Sequence, residues 1–332
     1  MSRRILITGA TGGLGKALVR EALQRGHHVR ASGRDTSAGK VLEAMGARFV
    51  PCDLCASQAN LRQLTDGCQS VIHAAALSAS WGERSDFERS NVQATRMLLD
   101  CADAADVTRF VFISSPSIYA ALRDRIGIGS NDAPSRPPLN HYARTKLEAE
   151  RLVLAHNRDG MATCAIRPRA LVGKEDRVIL PRLVEMASRR RLPLPGGGNA
   201  LIEMTDLRDA AWAICEAEER APEIAGKAIN ISGGKPTPVK QVADALAAVL
   251  GKSPQLVSLP LPVARALATV LERTAQLAGM KDEPPLTRYT LATLAYSQTF
   301  DLEPARRLLG YSPRYDALAT VLNGARKLAE RA

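Results

Sequence analysis

Aromatic residues make up only 4% of this 332-residue chain, so it carries no evident platform for stacking single-stranded nucleic acid. No apolar run reaches the length of a membrane span. The first apolar strand starts at residue 5, which leaves no room for a signal peptide. The expected compartment is the reducing cytoplasm. Six cysteines, at 52, 55, 68, 101, 164 and 215, follow no disulfide spacing. Cys52-Asp53-Leu54-Cys55 has the C-x-x-C form but lacks a second pair and a histidine cluster, so no metal site is expected. Internal repeats and low-complexity tracts are also missing. The one clear excess is positive charge, +11 overall. It is scattered, with Arg189-Arg190-Arg191 the longest run, and reads as a solvated surface that helps attract an anionic cofactor rather than as a nucleic-acid footprint.

What is present begins at the N-terminus. Ile5-Leu6-Ile7 reads as a short buried strand and Leu14 to Gln24 as a helix with apolar positions at helical spacing. Gly9, Gly12 and Gly15 sit in the turn between them. The three glycines serve a tight turn, close approach of a pyrophosphate to the backbone, and close packing of helix on strand. The free N–H groups at the helix start then face the diphosphate. The spacing is G-x-x-G-x-x-G, not the commoner G-x-G-x-x-G, but strand before and helix after supply the context that the motif requires.

Strands and helices alternate from there. His28 to Ser32, Arg48 to Val50, Ser70 to His73, Arg109 to Ile113 and Thr163 to Ile166 read as strands. Lys40 to Met45, Asn60 to Asp66, Phe87 to Ala105 and Leu139 to His156 read as helices between them. Such alternation predicts right-handed crossovers and an α/β, doubly wound parallel sheet with its ligand at the carboxyl ends of the strands. The second half is less regular. Pro193 to Asn199 reads as a loop, Asp206 to Glu219 as a helix, and Ala228 to Ile231 as a strand. Thr237 is expected to cap the helix Val239 to Leu250, with Pro238 in its first turn. Leu302 to Leu309 reads as the last helix. The expected organisation is a dinucleotide-binding domain over residues 1–165 and about 200–232, and a smaller, mostly helical C-terminal substrate domain over 166–199 and 233–332. Leu256 to Met280 carries Leu259, Leu261, Val263, Leu267, Val270, Leu271 and Leu277 between proline breaks. It reads either as ordinary core helix or as an apolar lid that could touch a membrane surface.

Tyr142-Ala143-Arg144-Thr145-Lys146 puts a phenol and an ammonium one helical turn apart on one face. The ammonium favours the tyrosinate, so the Tyr142 pKa is expected to fall and Tyr142 to serve as a general acid/base. A lone Y-x-x-x-K is a weak signal; here it opens the long helix after the fifth strand of a chain that starts with a nucleotide turn.

These residues, with Asp53-Leu54, His73-Ala74-Ala75, Asn91-Val92, Ser114-Ser115-Pro116-Ser117-Ile118-Tyr119 and Arg167-Pro168, resemble the extended short-chain dehydrogenase/reductase superfamily across essentially the whole chain. Leu286-Thr287-Arg288-Tyr289 and Leu309-Gly310-Tyr311-Ser312-Pro313 resemble its 3β-hydroxysteroid dehydrogenase-like branch, which includes reductases of 2-alkyl-3-keto acids. The resemblance implies a Rossmann fold. It implies that Ser115 hydrogen-bonds the substrate oxygen, Tyr142 exchanges its proton, and Lys146 tunes Tyr142 and binds the nicotinamide ribose. Ser114 is the rival hydroxyl, and its alternative is to satisfy backbone groups. The implied cofactor contacts are Gly9, Thr11, Gly12, Gly13, Leu14, Gly15, Ser32, Arg34, Asp53, Leu54, Ala74, Ala75, Ala76, Asn91, Tyr142, Lys146 and Pro168. Asp53 is alternatively a turn aspartate and Asn91 alternatively structural. His73 and His141 are expected to have no acid/base role.

Cofactor choice turns on the end of the second strand, where NAD-preferring folds place an acid. Gly33 stands there, followed by Arg34, which favours the 2′-phosphate of NADP. Ser32 adds a hydroxyl, and Asp35 leaves NAD open. The expected activity is NADP(H)-dependent interconversion of a ketone and a secondary alcohol on a small lipophilic substrate, by a monomer or homodimer. A nucleotide-sugar epimerase or dehydratase is the alternative, with Arg182 and Arg189 to Arg191 available to a diphosphate. A non-catalytic NADP-binding protein is the third reading, but it has no need of Ser115, Tyr142 and Lys146.

Overall fold

The computed structural model describes residues 2–176 and 178–330; residues 1, 177, 331 and 332, which fall inside the expected domain ranges, lie outside the described residues. Seven parallel strands form one sheet. In spatial order they are Ala228–Ile231, Ala162–Pro168, Arg109–Ile113, Ser70–His73, Arg4–Thr8, His28–Gly33 and Arg48–Pro51. Their Val, Ile and Phe runs are buried on both faces, as expected where helices cover both sides of a parallel sheet. The strand order reverses between Arg4–Thr8 and Ser70–His73, which pair through Thr8 and His73 at their carboxyl ends. That reversal opens a crevice there.

Helix Gly13–Gln24 packs against Leu207–Glu219 on one face. Helices Gln58–Thr65, Ala94–Ala104 and His141–Ala155 contribute to the other. The segment expected as one helix from Phe87 is interrupted: Glu88–Gln93 is a π-turn between Arg84–Phe87 and Ala94–Ala104. The extra residue per turn accompanies the inward placement of Asn91, a common association of π-bulges with special side chains.

The second half departs from expectation in four places. Of the expected loop Pro193 to Asn199, the first three residues belong to strand Arg191–Pro195, which pairs in parallel with Gln255–Leu259, and Gly196–Gly198 form a short turn. Thr237 does not cap a helix; Thr237–Pro238 pairs antiparallel with Leu201–Ile202, and Pro238 itself is the cap of Val239–Val249. A further helix, Ala317–Ala329, follows Glu303–Leu309. In helix Leu261–Leu277 the buried face is Ala264, Ala268, Glu272 and Ala275, while Val263, Leu267, Val270 and Leu277 face outward. The small face allows close approach to helix Arg288–Ala295, where Glu272 accepts from the Arg288 backbone N–H at 2.8 Å and from its guanidinium at 2.7 Å.

Candidate active site

The crevice is a cavity of about 740 Å³ at the carboxyl ends of the strands, within the usual range of small-molecule sites. Its inner end is the glycine turn. Helix Gly13–Gln24 starts with no side-chain cap and no acidic residue in its first turn, so its first N–H groups are left to a ligand. The turn has no room for side chains. A Cβ on Gly15 would lie 2.1 Å from the Gly9 carbonyl oxygen, and one on Gly9, whose φ is +65°, would lie 2.7 Å from the Ala75 backbone nitrogen. Helix, strand and the Ala74–Ala76 segment therefore close on one another around a backbone cradle that suits a dinucleotide diphosphate. Thr11, Gly12, Gly13, Leu14, Leu54, Ala74, Ala75, Ala76 and Pro168 all line this cavity.

At the second strand Ser32, Gly33 and Arg34 line it too. The Ser32 hydroxyl is buried without a partner among the described residues. Asp35 is turned to other work: its carboxylate caps helix Thr36–Ala44, accepting from the Ala38 N–H at 2.9 Å. Asp53 shows its turn role and also faces the cavity. One oxygen accepts from the Cys55 N–H at 3.0 Å as a turn aspartate, and the residue lines the cavity.

Asn91 does not line the cavity, contrary to expectation. It is buried and clamps Leu77, accepting from its N–H at 2.7 Å and donating to its carbonyl at 3.2 Å, while also donating to the Thr145 hydroxyl at 3.1 Å. Its amide is spent on holding the cavity wall to the Tyr142 helix. His73 belongs to the same scaffold. The Thr95 hydroxyl donates to the Asn91 carbonyl at 2.7 Å, so it accepts from His73 Nε2–H at 2.9 Å. His73 Nδ1 then accepts from Thr8, 2.7 Å away, whose oxygen accepts from the Ala75 N–H at 3.3 Å. Burial, with the Lys146 charge adding to it, pushes the imidazole pKa down to about 3, so it is neutral and structural.

Helix His141–Ala155 holds the candidate reactive groups Tyr142 and Lys146. Asn140 caps it, accepting from the Ala143 N–H at 2.8 Å. Tyr142, Lys146 and Glu150 recur every four residues on one face. Glu150 is held by Arg167 through two charge-assisted bonds of 2.6 and 2.7 Å, which fastens the helix to strand Ala162–Pro168. Lys146 donates to the Ile113 carbonyl and lies 4.0 Å from the Phe112 ring centroid. Burial drops its pKa to about 7, against a smaller upward pull from Glu150.

The Tyr142 pKa is raised rather than lowered. Burial dominates, and the Ser115 and Ser78 hydroxyls facing the phenol only partly offset it. Lys146 does not offset it: with its own pKa down to about 7, it is a neutral amine where the phenol titrates. Ser115 ends strand Arg109–Ile113 and caps the short turn Pro116–Tyr119, its oxygen accepting from the Ser117 N–H at 3.2 Å. That leaves the Ser115 hydroxyl proton free to be donated into the cavity. Ser114 also lines the cavity, and its buried hydroxyl has no partner among the described residues, so it does not satisfy backbone groups.

The outer wall comes from the second half. Val178, Ile179, Leu183 and Leu294 are apolar; Tyr289, Thr290 and Thr293 add polar atoms. The lid expected from Leu256 to Met280 is absent from this wall. Helix Arg288–Ala295 takes that place, and Leu267 lies outside on the exposed face of its own helix. Arg182 lines the cavity and pairs with Glu283 at 3.2 Å, whereas Arg189, Arg190 and Arg191 are exposed and do not line it. Sequence reasoning missed Ser78, Arg169 and Tyr289 as lining residues. Arg169 had a signal, since it stands one residue beyond Pro168 at a strand end.

Comparison with known proteins agrees with this architecture. Residues 5–232 match the NAD dependent epimerase/dehydratase family. The chain is 34% identical to the uncharacterized protein YbjS of Escherichia coli over 93% of each chain. It is also 34% identical to the 2-alkyl-3-oxoalkanoate reductase of Stenotrophomonas maltophilia, over 94% of this chain and 95% of that protein. Among solved structures, MoeE5 in complex with UDP-glucose and NAD superimposes with a TM-score of 0.75 at 26% identity, covering 98% of this chain and 99% of that one. The nucleotide cradle, the strand order and these likenesses agree that the chain belongs to the NAD dependent epimerase/dehydratase family, the extended short-chain dehydrogenase/reductases.

Proposed function

We propose that this protein is an NADP(H)-dependent reductase of a lipophilic ketone, of the 2-alkyl-3-keto acid or 3β-hydroxysteroid kind. The observation that carries the reading is a Tyr142 phenol kept protonated by burial, faced by Ser115, in a cavity that begins at the glycine cradle. The nicotinamide, when bound, supplies the hydride to the carbonyl carbon. Ser115 donates a hydrogen bond to the carbonyl oxygen and Tyr142 transfers its proton there. A raised Tyr142 pKa keeps that proton in place throughout neutral pH, which suits reduction; alcohol oxidation needs the tyrosinate and gains from higher pH. Lys146 holds the Ile113 carbonyl at the strand end beside the Ser115 turn.

NADP rather than NAD is supported by Arg34 at the end of the second strand, by the unpartnered Ser32 hydroxyl, and by the diversion of Asp35 to a helix cap. A lipophilic substrate is supported by Val178, Ile179, Leu183 and Leu294, which offer no partner to sugar hydroxyls. A panel of 2-alkyl-3-keto acids, 3-ketosteroids, small polar ketones and UDP-sugars, followed by NADPH absorbance, tests the reading. Turnover is expected to rise with apolar chain length. Best activity on small polar ketones or on UDP-sugars would overturn it.

A further inference from the structure

Arg169 is 8% exposed, yet it lines the cavity. Its Nε has no acceptor, and no carboxylate comes within 4.0 Å of it among the described residues. Glu203, the acid that acts on it, is buried and engaged elsewhere, accepting from the Ser232 hydroxyl and from the Phe300 N–H at 3.3 Å. A buried guanidinium left this way is costly unless a ligand completes it. Burial accordingly pushes its pKa down, with Tyr289 and Glu203 pulling weakly upward.

We propose that Arg169 receives the carboxylate of the substrate, so that the preferred substrate is a keto acid anion rather than a neutral ketone or sterol. This rests on the reductase reading above and narrows it. Three observations set the assignment. The ionisable groups that act on Arg169 are Glu203 and Tyr289, the latter a phenol of the outer wall that in turn acts on Tyr142. The guanidinium thus shares the cavity with the outer-wall residue Tyr289, while the diphosphate has its own N–H groups at the glycine turn. One guanidinium balances one carboxylate. A diphosphate would need a second cation beside it; of the others lining the cavity, Arg182 is paired with Glu283, Lys146 is turned to the Ile113 carbonyl, and Arg34 stands at the end of the second strand. Two hydrogen bonds from a planar guanidinium also fit a carboxylate in shape.

The test separates this site from the reaction. With NADPH present, calorimetric titration compares 2-methyldodecanoate with its primary amide, neither of which can be reduced at a ketone. Wild-type protein is expected to bind the acid about 10- to 100-fold more tightly, the usual range for hydrogen bonds to a charged partner. Arg169→Gln brings that ratio close to one, Arg169→Lys restores part of it, and NADPH affinity moves less than twofold. Equal binding of acid and amide by the wild type, or a ratio unchanged in Arg169→Gln, overturns the proposal. An NADPH affinity that falls along with acid binding overturns it too, by assigning Arg169 to the cofactor. If Arg169→Gln does not fold, the wild-type ratio and the Arg169→Lys protein still decide. A protein that prefers the acid but reduces no ketone refutes the reductase reading and leaves the anion site standing.

Discussion

Replacing Lys146 by Met should make the cofactor-free protein more stable at neutral pH while removing its activity. Lys146 is 3% exposed, and burial takes its pKa from 10.5 to about 7. Between those values the unfolded chain holds a proton that the folded protein lacks. Wild-type stability attributable to this group is therefore in place above pH 10.5 and is lost as pH falls towards 7, by at most about 1.4 kcal/mol per pH unit. Over the whole interval the cost is about 5 kcal/mol. Against it stand the Nζ bond to the Ile113 carbonyl and the contact of the neutral amine with the Phe112 ring, together worth about 1–2 kcal/mol. Lys146→Met is thus expected to exceed wild type by roughly 2 kcal/mol at pH 7.5, and the margin should shrink by about 1 kcal/mol per unit up to pH 9.5. Urea unfolding of both proteins without cofactor at pH 7.5, 8.5 and 9.5 measures the difference, and every other titrating group cancels in it. A difference that does not depend on pH would refute the account of Lys146 as a buried amine whose charged form the fold disfavours.

Tyr142→Phe should retain NADPH binding, measured by fluorescence, while kcat falls at least about 10²-fold, the low end for loss of a general acid. Arg34→Ala should weaken NADPH more than NADH; equal affinities in the wild type would remove the basis for the NADP preference. Asn91→Ala should lower stability by about 1–3 kcal/mol, because it leaves the Leu77 N–H and the Thr145 hydroxyl short of a partner, with cofactor affinity within about twofold. A large loss of cofactor affinity at unchanged Tm would return Asn91 to the cofactor site. Gly15→Ala should abolish cofactor binding, since its Cβ would lie 2.1 Å from the Gly9 carbonyl oxygen; a variant that binds NADPH normally would contradict the close packing of that turn.

The sequence by itself determined the sheet, the glycine turn and the helix that carries Tyr142 and Lys146. Strands such as Ser70–His73, Arg109–Ile113 and Ala228–Ile231 are short apolar runs bounded by breakers, and the glycine spacing and Y-x-x-x-K are local patterns that need no partner to be read. Everything that depended on which groups meet across the fold was decided by tertiary structure. The turn of Lys146 to the Ile113 carbonyl follows from a strand end packed against the helix, and the upward shift of Tyr142 from its own burial in the packed cavity. Asn91 was taken up by Leu77 and Thr145, and Asp35 by the Ala38 N–H, because an unsatisfied buried or helix-end N–H costs more than a solvated carboxylate or amide gains. Leu261–Leu277 misled for a related reason. Its large apolar residues mark a hydrophobic face by composition, but the neighbour Arg288–Ala295 comes close only over Ala264, Ala268 and Ala275, so the bulky side was left outward and the cavity wall went to the other helix. Arg169 was in plain view after Pro168, yet that its guanidinium would lack an acid is a property of the packed cavity, where Glu203 faces Ser232 and Phe300 instead.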